Sequence, residues 1–330
     1  MRKLKKFMVV HPFKEFMPEL SDFQITEEQI LKLGPNEFLV KAEYISVDPY
    51  MRSFAGDFSV PYEQFGFQVG IVAESRNEKY PVGSYVVSHS GWRDHAILND
   101  SPDDMFGIRP YIPKLGNLSP SLAVGALGMT GLTAYLGLTE ICQPKSGETL
   151  CVTSAAGAVG SMVGQIGKVL GCTVIGFTGS DKKVKLLKEE LGFDHAFNYK
   201  TDDVSQRLKA VAPNGVDCFF DNVGGAVAAD IKKCMREYGR VANCGSISTY
   251  GHSSTSVKAK TPVSVQIESF SFTQWKSKFE SSLEQLKTWI ENGNIKAKET
   301  VVKGFGELPN ALRMMLKGDT VGKAVVNVCN

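Results

Sequence analysis

Thr149-Leu150-Cys151-Val152-Thr153-Ser154-Ala155-Ala156-Gly157-Ala158-Val159-Gly160 is the stretch whose reading decides the fold. Its first five residues are apolar or β-branched and read as a strand. Beyond the turn, Val159, Met162, Val163, Ile166, Val169 and Leu170 fall on one face of a helical period. Strand, tight glycine-bearing turn, then helix is the geometry of a dinucleotide phosphate site. Gly157 lets the backbone approach a pyrophosphate, and Gly160 allows close helix–strand packing. The exposed N–H groups at the helix start, where Ala158 and Val159 stand, attract phosphate. Ala155 replaces the first glycine of the usual G-x-G-x-x-G pattern. The alternative reading is an ordinary turn of an α/β domain.

The following segments support the site. Cys172–Phe177 reads as a second strand, with Ser180 as the N-cap of a helix marked by Val184, Leu187 and Leu191. Ala196–Tyr199, Val216–Asp221 and Arg240–Gly245 read as three more strands. Strands alternating with helical patterns predict a parallel, doubly wound sheet. The tip of the second strand, Phe177-Thr178-Gly179-Ser180, carries no acid for a ribose 2′-hydroxyl. Lys183 and Tyr199 are placed to meet a 2′-phosphate instead, which favours NADPH. Alternatively, Lys182 and Lys183 are a solvated first helical turn.

The chain has 330 residues, enough for two domains. Hydrophobic content of 43% and charged content of 22% are those of a globular protein. A net charge of +2 gives no broad electrostatic footprint for nucleic acid. The basic start Arg2–Lys6 precedes only Phe7–Val10, too short for a signal-peptide core, and no apolar run reaches a membrane span. The seven cysteines are scattered and odd in number, the pattern of reduced thiols in a cytoplasmic protein. No C-x-x-C pair occurs, and the histidines have no short ligand spacing; His89 and His95 read as surface or strand positions, not metal ligands. The first ~120 residues carry short apolar runs such as Phe38–Tyr44 and Tyr85–Ser88, a mostly β texture. Gly322–Val328 reads as a strand able to return to that domain, leaving the dinucleotide domain as an insertion.

Six segments in register carry a family resemblance: Val47–Arg52, Gly128–Tyr135, Ala155–Gly160, Phe197–Lys200, Asp221–Gly225 and Gly245–Tyr250. Over essentially its whole length the chain resembles the zinc-free medium-chain dehydrogenase/reductases, and among them the prostaglandin reductase 1 branch. That branch includes leukotriene B4 12-hydroxydehydrogenases and has the plant and bacterial alkenal double-bond reductases nearby. The resemblance implies a GroES-like β domain from residues 1–122 and 300–330 around a Rossmann domain from 123–299. It also implies NADPH, a homodimer, and a small-molecule enone or alkenal substrate, with neither nucleic acid nor membrane as partner.

Carried over residue by residue, the resemblance puts Gly157, Ala158, Val159 and Gly160 on the pyrophosphate, and Lys183 and Tyr199 on the 2′-phosphate. Asn222 follows the fourth strand; Cys244, Gly245, Ser246, Ile247, Ser248, Thr249 and Tyr250 line the nicotinamide half. Phe270, Ser271 and Phe272 match the backbone segment that holds the carboxamide. Thr320 stands where the family often has Asn, and Thr130 where the nearest relatives have Pro; both are departures.

No cysteine precedes Cys142, so the cysteines of the zinc alcohol dehydrogenases are absent, and no metal is expected. A developing oxyanion must then be stabilised by hydrogen bonds, which suits reduction of a C=C bond conjugated to a carbonyl. Tyr250 and Tyr50 are the candidate catalytic side chains. The competing reading for each is packing under the cofactor, and a ribose 2′-hydroxyl is the other candidate donor. Phe270 and Phe272 either wall an acyl pocket or belong to the sheet. The resemblance also permits oxidation of the leukotriene B4 12-hydroxyl with NADP+. The alternatives are a zinc-free NADPH quinone reductase and a non-catalytic NADPH-binding structural protein.

Overall fold

The computed structural model describes residues 2–14, 16–103, 105–250, 262 and 264–329. The chain divides into two compact units. The first comprises Met1–Gly125, Glu299–Thr320 and Ala324–Asn330; the second comprises Ala126–Lys298 and Val321–Lys323.

The first unit opens with β1 (Lys3–Val9), β2 (Phe23–Gln29) and β3 (Phe38–Ser46). A one-turn helix α1 (Tyr50–Ser53) and the strands β4 (Tyr62–Glu63), β5 (Gln68–Ser75), β6 (Tyr85–Ser88) and β7 (His95–Leu98) follow. The second unit runs through α2 (Met129–Leu136), β8 (Thr149–Thr153), α3 (Ala158–Val169), β9 (Thr173–Thr178) and α4 (Asp181–Glu189). It continues through β10 (His195–Asn198), α5 (Val204–Val211), β11 (Val216–Asp221), α6 (Gly225–Lys233), β12 (Met235–Asn243), β13 (Gln266–Ser269) and α7 (Phe279–Glu291). The chain then returns to the first unit with β14 (Glu299–Lys303), α8 (Leu308–Lys317) and β15 (Lys323–Asn327).

The first unit is antiparallel where its pairings are resolved. One sheet has the order β14-β15-β3-β5-β6, with β7 also on β3, and a second has β2-β1-β4. The return of β15 onto β3, with Val325 opposite Ser46, adds the strand expected from Gly322–Val328. Phe38, Val40, Val72, Tyr80 and Val86 form a core cluster there.

The second unit holds a six-stranded sheet in the order β10-β9-β8-β11-β12-β13. The order reverses between β8 and β11, which opens a crevice at the carboxyl ends of those strands. The fold is therefore α/β with a doubly wound parallel sheet. The sequence places β8 to β11 within a residue of their bounds, whereas β12 begins at Met235, five residues before the Arg240 expected. β13 has a single apolar residue, Ile267, and gains its extended form from pairing with β12.

Helix α3 lies flat on this sheet because its glycines leave room. An added Cβ at Gly164 would overlap the ring of Phe193, and one at Gly176 of β9 would stand 2.8 Å from it. Phe193 is buried in that seam, worth roughly 1.5–3 kcal/mol of apolar burial. All seven cysteines are unpaired thiols, four of them buried. No helix among the described residues is long and apolar enough to cross a membrane.

Candidate functional site

The turn after β8 is made by backbone. Ser154 takes a left-handed conformation (φ 49°), and its carbonyl accepts the Gly157 N–H at 2.9 Å. Ala155 N–H donates to Phe177 O at 3.0 Å, tying the turn to β9. Gly157 starts α3 with no side-chain cap. Helix geometry leaves the N–H groups of Ala158, Val159 and Gly160 without intrahelical acceptors, at the positive end of the dipole. An added Cβ at Gly160 would overlap the Ser154 carbonyl. Gly322 N–H donates to Ala156 O at 2.8 Å, so the segment 321–323 braces the same turn. This cradle of uncapped N–H groups fits a pyrophosphate.

At the end of β9 the elements converge again. An added Cβ on Gly179 would stand 3.1 Å from Tyr199 Oη and 3.4 Å from Lys200 Cε. Lys183 lies half-buried in the first turn of α4, its N–H 3.4 Å from the capping Ser180 Oγ. The carboxylate of Asp181 is occupied by Asn198 Nδ2 at 2.8 Å. Two lysines and a phenol around this strand end suit a 2′-phosphate. Lys200, present in the family segment Phe197–Lys200, carries no role in the sequence reading, although it directly follows Tyr199.

Asp221, passed over in favour of Asn222, organises the ends of three strands. Its buried Oδ1 accepts from Thr153 Oγ1, Val223 N–H and Gly224 N–H, each at 3.0 Å. Its Oδ2 lies 3.6 Å from Lys232 Nζ. Its backbone carbonyl takes Cys244 N–H at 2.8 Å and Gly245 N–H at 3.1 Å. Hydrogen bonds to a charged group contribute about 1.5–3 kcal/mol each; the carboxylate ties β8 to the loop after β11, and the backbone carbonyl ties β11 to the segment after β12. Asn222 spends its amide on Thr153 O at 2.8 Å. The signal that marked Asp221 was its position as the last residue of an apolar strand.

The segment from Cys244 to Tyr250 folds over that loop. Ser248 Oγ donates to Val223 O at 2.6 Å, and Thr249 Oγ1 to Ser246 O at 2.8 Å. Ile247–Thr249 form a 3-10 turn that brings the Tyr250 phenol back over Gly245; an added Cβ there would be 3.6 Å from Oη. Burial, with Asp221 adding, pushes the Cys244 thiol up to about 12.

Phe270 and Phe272 are used in packing. Phe270 meets Phe220 edge-on with ring centres 5.9 Å apart, and Phe272 stacks on Phe279 at 5.5 Å. Ser271 caps the following 3-10 helix. Thr320 is buried and is assigned to the first unit. Thr130 is buried in the first turn of α2.

Tyr50 belongs to the first unit and sits in a cluster of rings. Phe65 stacks on it at 5.8 Å, and Phe106 meets it edge-on at 5.5 Å. Its Oη lies 3.2 Å from His89 Nε2. His89 is neither a surface residue nor an open strand position: its side chain is 5% exposed, with Nδ1 3.7 Å from Asp103 Oδ1. Asp103 is held by the N–H groups of Phe106 at 2.6 Å and Ile108 at 2.9 Å. Burial pushes His89 down to about 4, against the pull of Asp103 and Asp48. Burial, with Asp48 and Asp103 adding, pushes the Tyr50 phenol well up. Both groups are therefore neutral at pH 7. Among the described residues no group of three or more His, Cys, Asp or Glu side chains is arranged to hold a metal ion.

Comparison with known proteins agrees with this architecture. Residues 6–105 match the family described as the N-terminal domain of oxidoreductase, and residues 158–288 match zinc-binding dehydrogenase. Prostaglandin reductase 1 of Oryctolagus cuniculus is 42% identical over 329 residues, spanning 97% of this chain and 91% of that protein. The NADP(+)-dependent 2-alkenal reductase of Nicotiana tabacum is 38% identical, covering 94% of each. The crystal structure of CurA from Vibrio vulnificus in complex with NADPH superposes with a TM-score of 0.89 at 32% identity, covering 99% of each chain. The antiparallel unit is thus the GroES-like domain and the parallel sheet the Rossmann domain of this superfamily. The chain belongs to the prostaglandin reductase and alkenal reductase family of medium-chain dehydrogenase/reductases.

Proposed function

We propose that this protein uses NADPH to reduce the carbon–carbon double bond of α,β-unsaturated aldehydes and ketones, including 2-alkenals and 15-oxo-prostaglandin-like enones. The observation that carries the chemistry is the Tyr250 phenol returning over Gly245, on the sheet that holds the uncapped phosphate turn. NADPH, when bound, supplies a hydride to the β-carbon of the substrate. Ala158, Val159 and Gly160 offer backbone N–H groups to the pyrophosphate, and Lys183, Tyr199 and Lys200 surround the 2′-phosphate. Asp221 and Asn222 keep the strand ends in register under the nicotinamide half, with Cys244–Tyr250 closing over it. Phe270–Phe272 offers backbone to the carboxamide, and Thr320 a hydroxyl to the cofactor. Hydride addition sends negative charge to the carbonyl oxygen as an enolate, and a proton then arrives at the α-carbon to complete the reduction. A preorganised O–H donor at that oxygen lowers the barrier, and Tyr250 is the donor we assign. Tyr50 is the second side chain we assign to the substrate.

The protein is read as a homodimer. β13 is an edge strand whose four residues are all exposed, Ile267 by 45%, and such edges are ordinarily covered. Seven unpaired thiols suit the reducing cytoplasm. Sedimentation should return twice the chain mass.

The test is a panel of carbonyls followed by loss of NADPH absorbance. Enones and 2-alkenals should be turned over at rates that a chelator leaves unchanged, and matched saturated ketones should not. Equal rates with saturated ketones, or turnover of quinones alone, would overturn the reading. Tight NADPH binding with no turnover of either class would indicate a non-catalytic role.

A further inference from the structure

His89 occupies a place where a phenylalanine would pack as well. Its ring lies 4.7 Å from Phe67 and meets Phe106 edge-on at 5.1 Å, with Tyr50 and Phe65 completing the wall. What imidazole adds is two nitrogens aimed at different partners. Nε2 faces Tyr50 Oη at 3.2 Å, and Nδ1 faces Asp103 Oδ1 at 3.7 Å.

The charge of Asp103 selects the tautomer. This carboxylate accepts two backbone N–H groups, as an ionised carboxylate does. A proton on Nδ1 is attracted to it, whereas a lone pair there would be repelled. The proton of the neutral ring therefore resides on Nδ1, and Nε2 is an acceptor. Asp48, its carboxylate bonded by the Ser46 hydroxyl, also bears on His89 and favours its charged form, without selecting between the two neutral tautomers. With Nε2 an acceptor, the only proton available for the contact is that of the Tyr50 hydroxyl.

We propose that His89 is a positioning residue that holds the Tyr50 proton, so that Tyr50, whose oxygen also takes the Phe67 backbone N–H, presents its remaining lone pair to the substrate and selects enones carrying their own hydroxyl donor. The proposal rests on the assignment of Tyr50 to the substrate. Tyr50 would accept from a hydroxyl such as that of a 4-hydroxy-2-alkenal. Burial keeps His89 and Tyr50 neutral, which preserves this arrangement near pH 7.

The experiment compares kcat/KM for 4-hydroxy-2-nonenal and for 2-nonenal in wild type, His89→Phe, Tyr50→Phe and the double variant. The hydroxyl also alters intrinsic reactivity, so the quantity read is the change in the ratio on substitution. One neutral hydrogen bond corresponds to about 2- to 13-fold. Each single variant should lower the 4-hydroxy preference by that factor, and the double variant should lower it no further. An unchanged ratio in either single variant, or additive losses, overturns the proposal. His89→Gln, which retains a polar side chain, should recover part of the ratio.

Nitrogen-15 NMR of the His89 ring supplies a readout independent of turnover and of any variant's folding. The proposal requires the Nδ1–H tautomer in wild type, and the Nε2–H tautomer overturns it. Failure of the parent reading looks different, because wild type would then turn over neither aldehyde.

Discussion

From Ser154 to Gly160 the protein offers a ligand its backbone; around Tyr50 it offers side chains drawn from four separate stretches. The phosphate turn is local, seven consecutive residues whose shape depends on small or absent side chains. The Tyr50 cluster joins α1, Phe65 and Phe67, the residue just after β6, and Asp103 with Phe106, and depends on rings and charges being present. Adding atoms should therefore damage the first region, and removing atoms the second.

The largest effect is expected where the nucleotide-binding unit itself relies on a side chain. Tyr250→Phe keeps the ring and removes the proton, and kcat should fall roughly 10²–10³-fold, the usual cost of one oxyanion donor. Steady-state rates with one enone measure it, and a change below about threefold moves the donor role off Tyr250.

Next comes the acid response of the Tyr50 cluster. His89 has its folded pKa pushed down to about 4, below the ordinary ~6.5 of histidine. The unfolded chain then binds a proton below ~6.5 that the folded chain refuses until about 4, so stability falls as pH drops through that window. At pH 4.5 the loss is about 2–3 kcal/mol at most. Urea unfolding at pH 7 and pH 4.5 should show a shallower acid decline in His89→Phe; parallel declines would mean that the imidazole titrates normally in the fold.

Lys183→Ala tests whether cofactor choice rests on charge. A hydrogen bond to a charged group contributes about 1.5–3 kcal/mol, so the Kd for NADPH should rise roughly 10- to 150-fold. NADH, which lacks the 2′-phosphate, should bind as before. Tryptophan-fluorescence titrations with both cofactors decide it, and equal weakening would return Lys183 to the role of a solvated helix residue.

Gly160→Ala gives the converse. Its Cβ meets backbone, so Ser154 or α3 must shift at an overpacking cost of about 1–3 kcal/mol. Calorimetry should find NADPH and NADH weakened alike. Selective loss of NADPH would contradict a turn that reads only the pyrophosphate.

The same contrast explains what the sequence could show. β8, the turn and α3 are legible because strand pattern, glycine spacing and helical period all act within a dozen residues. The Rossmann order follows from repetition of that unit. His89 was opaque because its burial is conferred by Phe65, Phe67 and Phe106, none of them near it on the chain. Asp221 was hidden for a related reason: its partners Thr153 and Lys232 belong to other elements, and only the assembled sheet shows one carboxylate serving them both. β13, Gln266–Ser269, carries almost no strand signal of its own and is specified by its neighbour. Phe270 and Phe272 left wall and core equally open, and only the rings they meet show that they pack.

The thiols described with the fold have a bearing on survival in the presence of the substrate. Electron-poor double bonds alkylate proteins through thiolates, and a thiol that stays protonated is a poor target. Burial pushes Cys172 up to about 11 and Cys244, beside the Tyr250 turn, to about 12. Cys218 is driven well up by its hydrogen bond to Cys142 and by burial, and burial does the same for Cys151. Even the exposed Cys329 is raised, by partial burial and by Glu43. In these five thiols the protonated, less nucleophilic form is favoured, which works against alkylation by the aldehydes the protein is proposed to reduce.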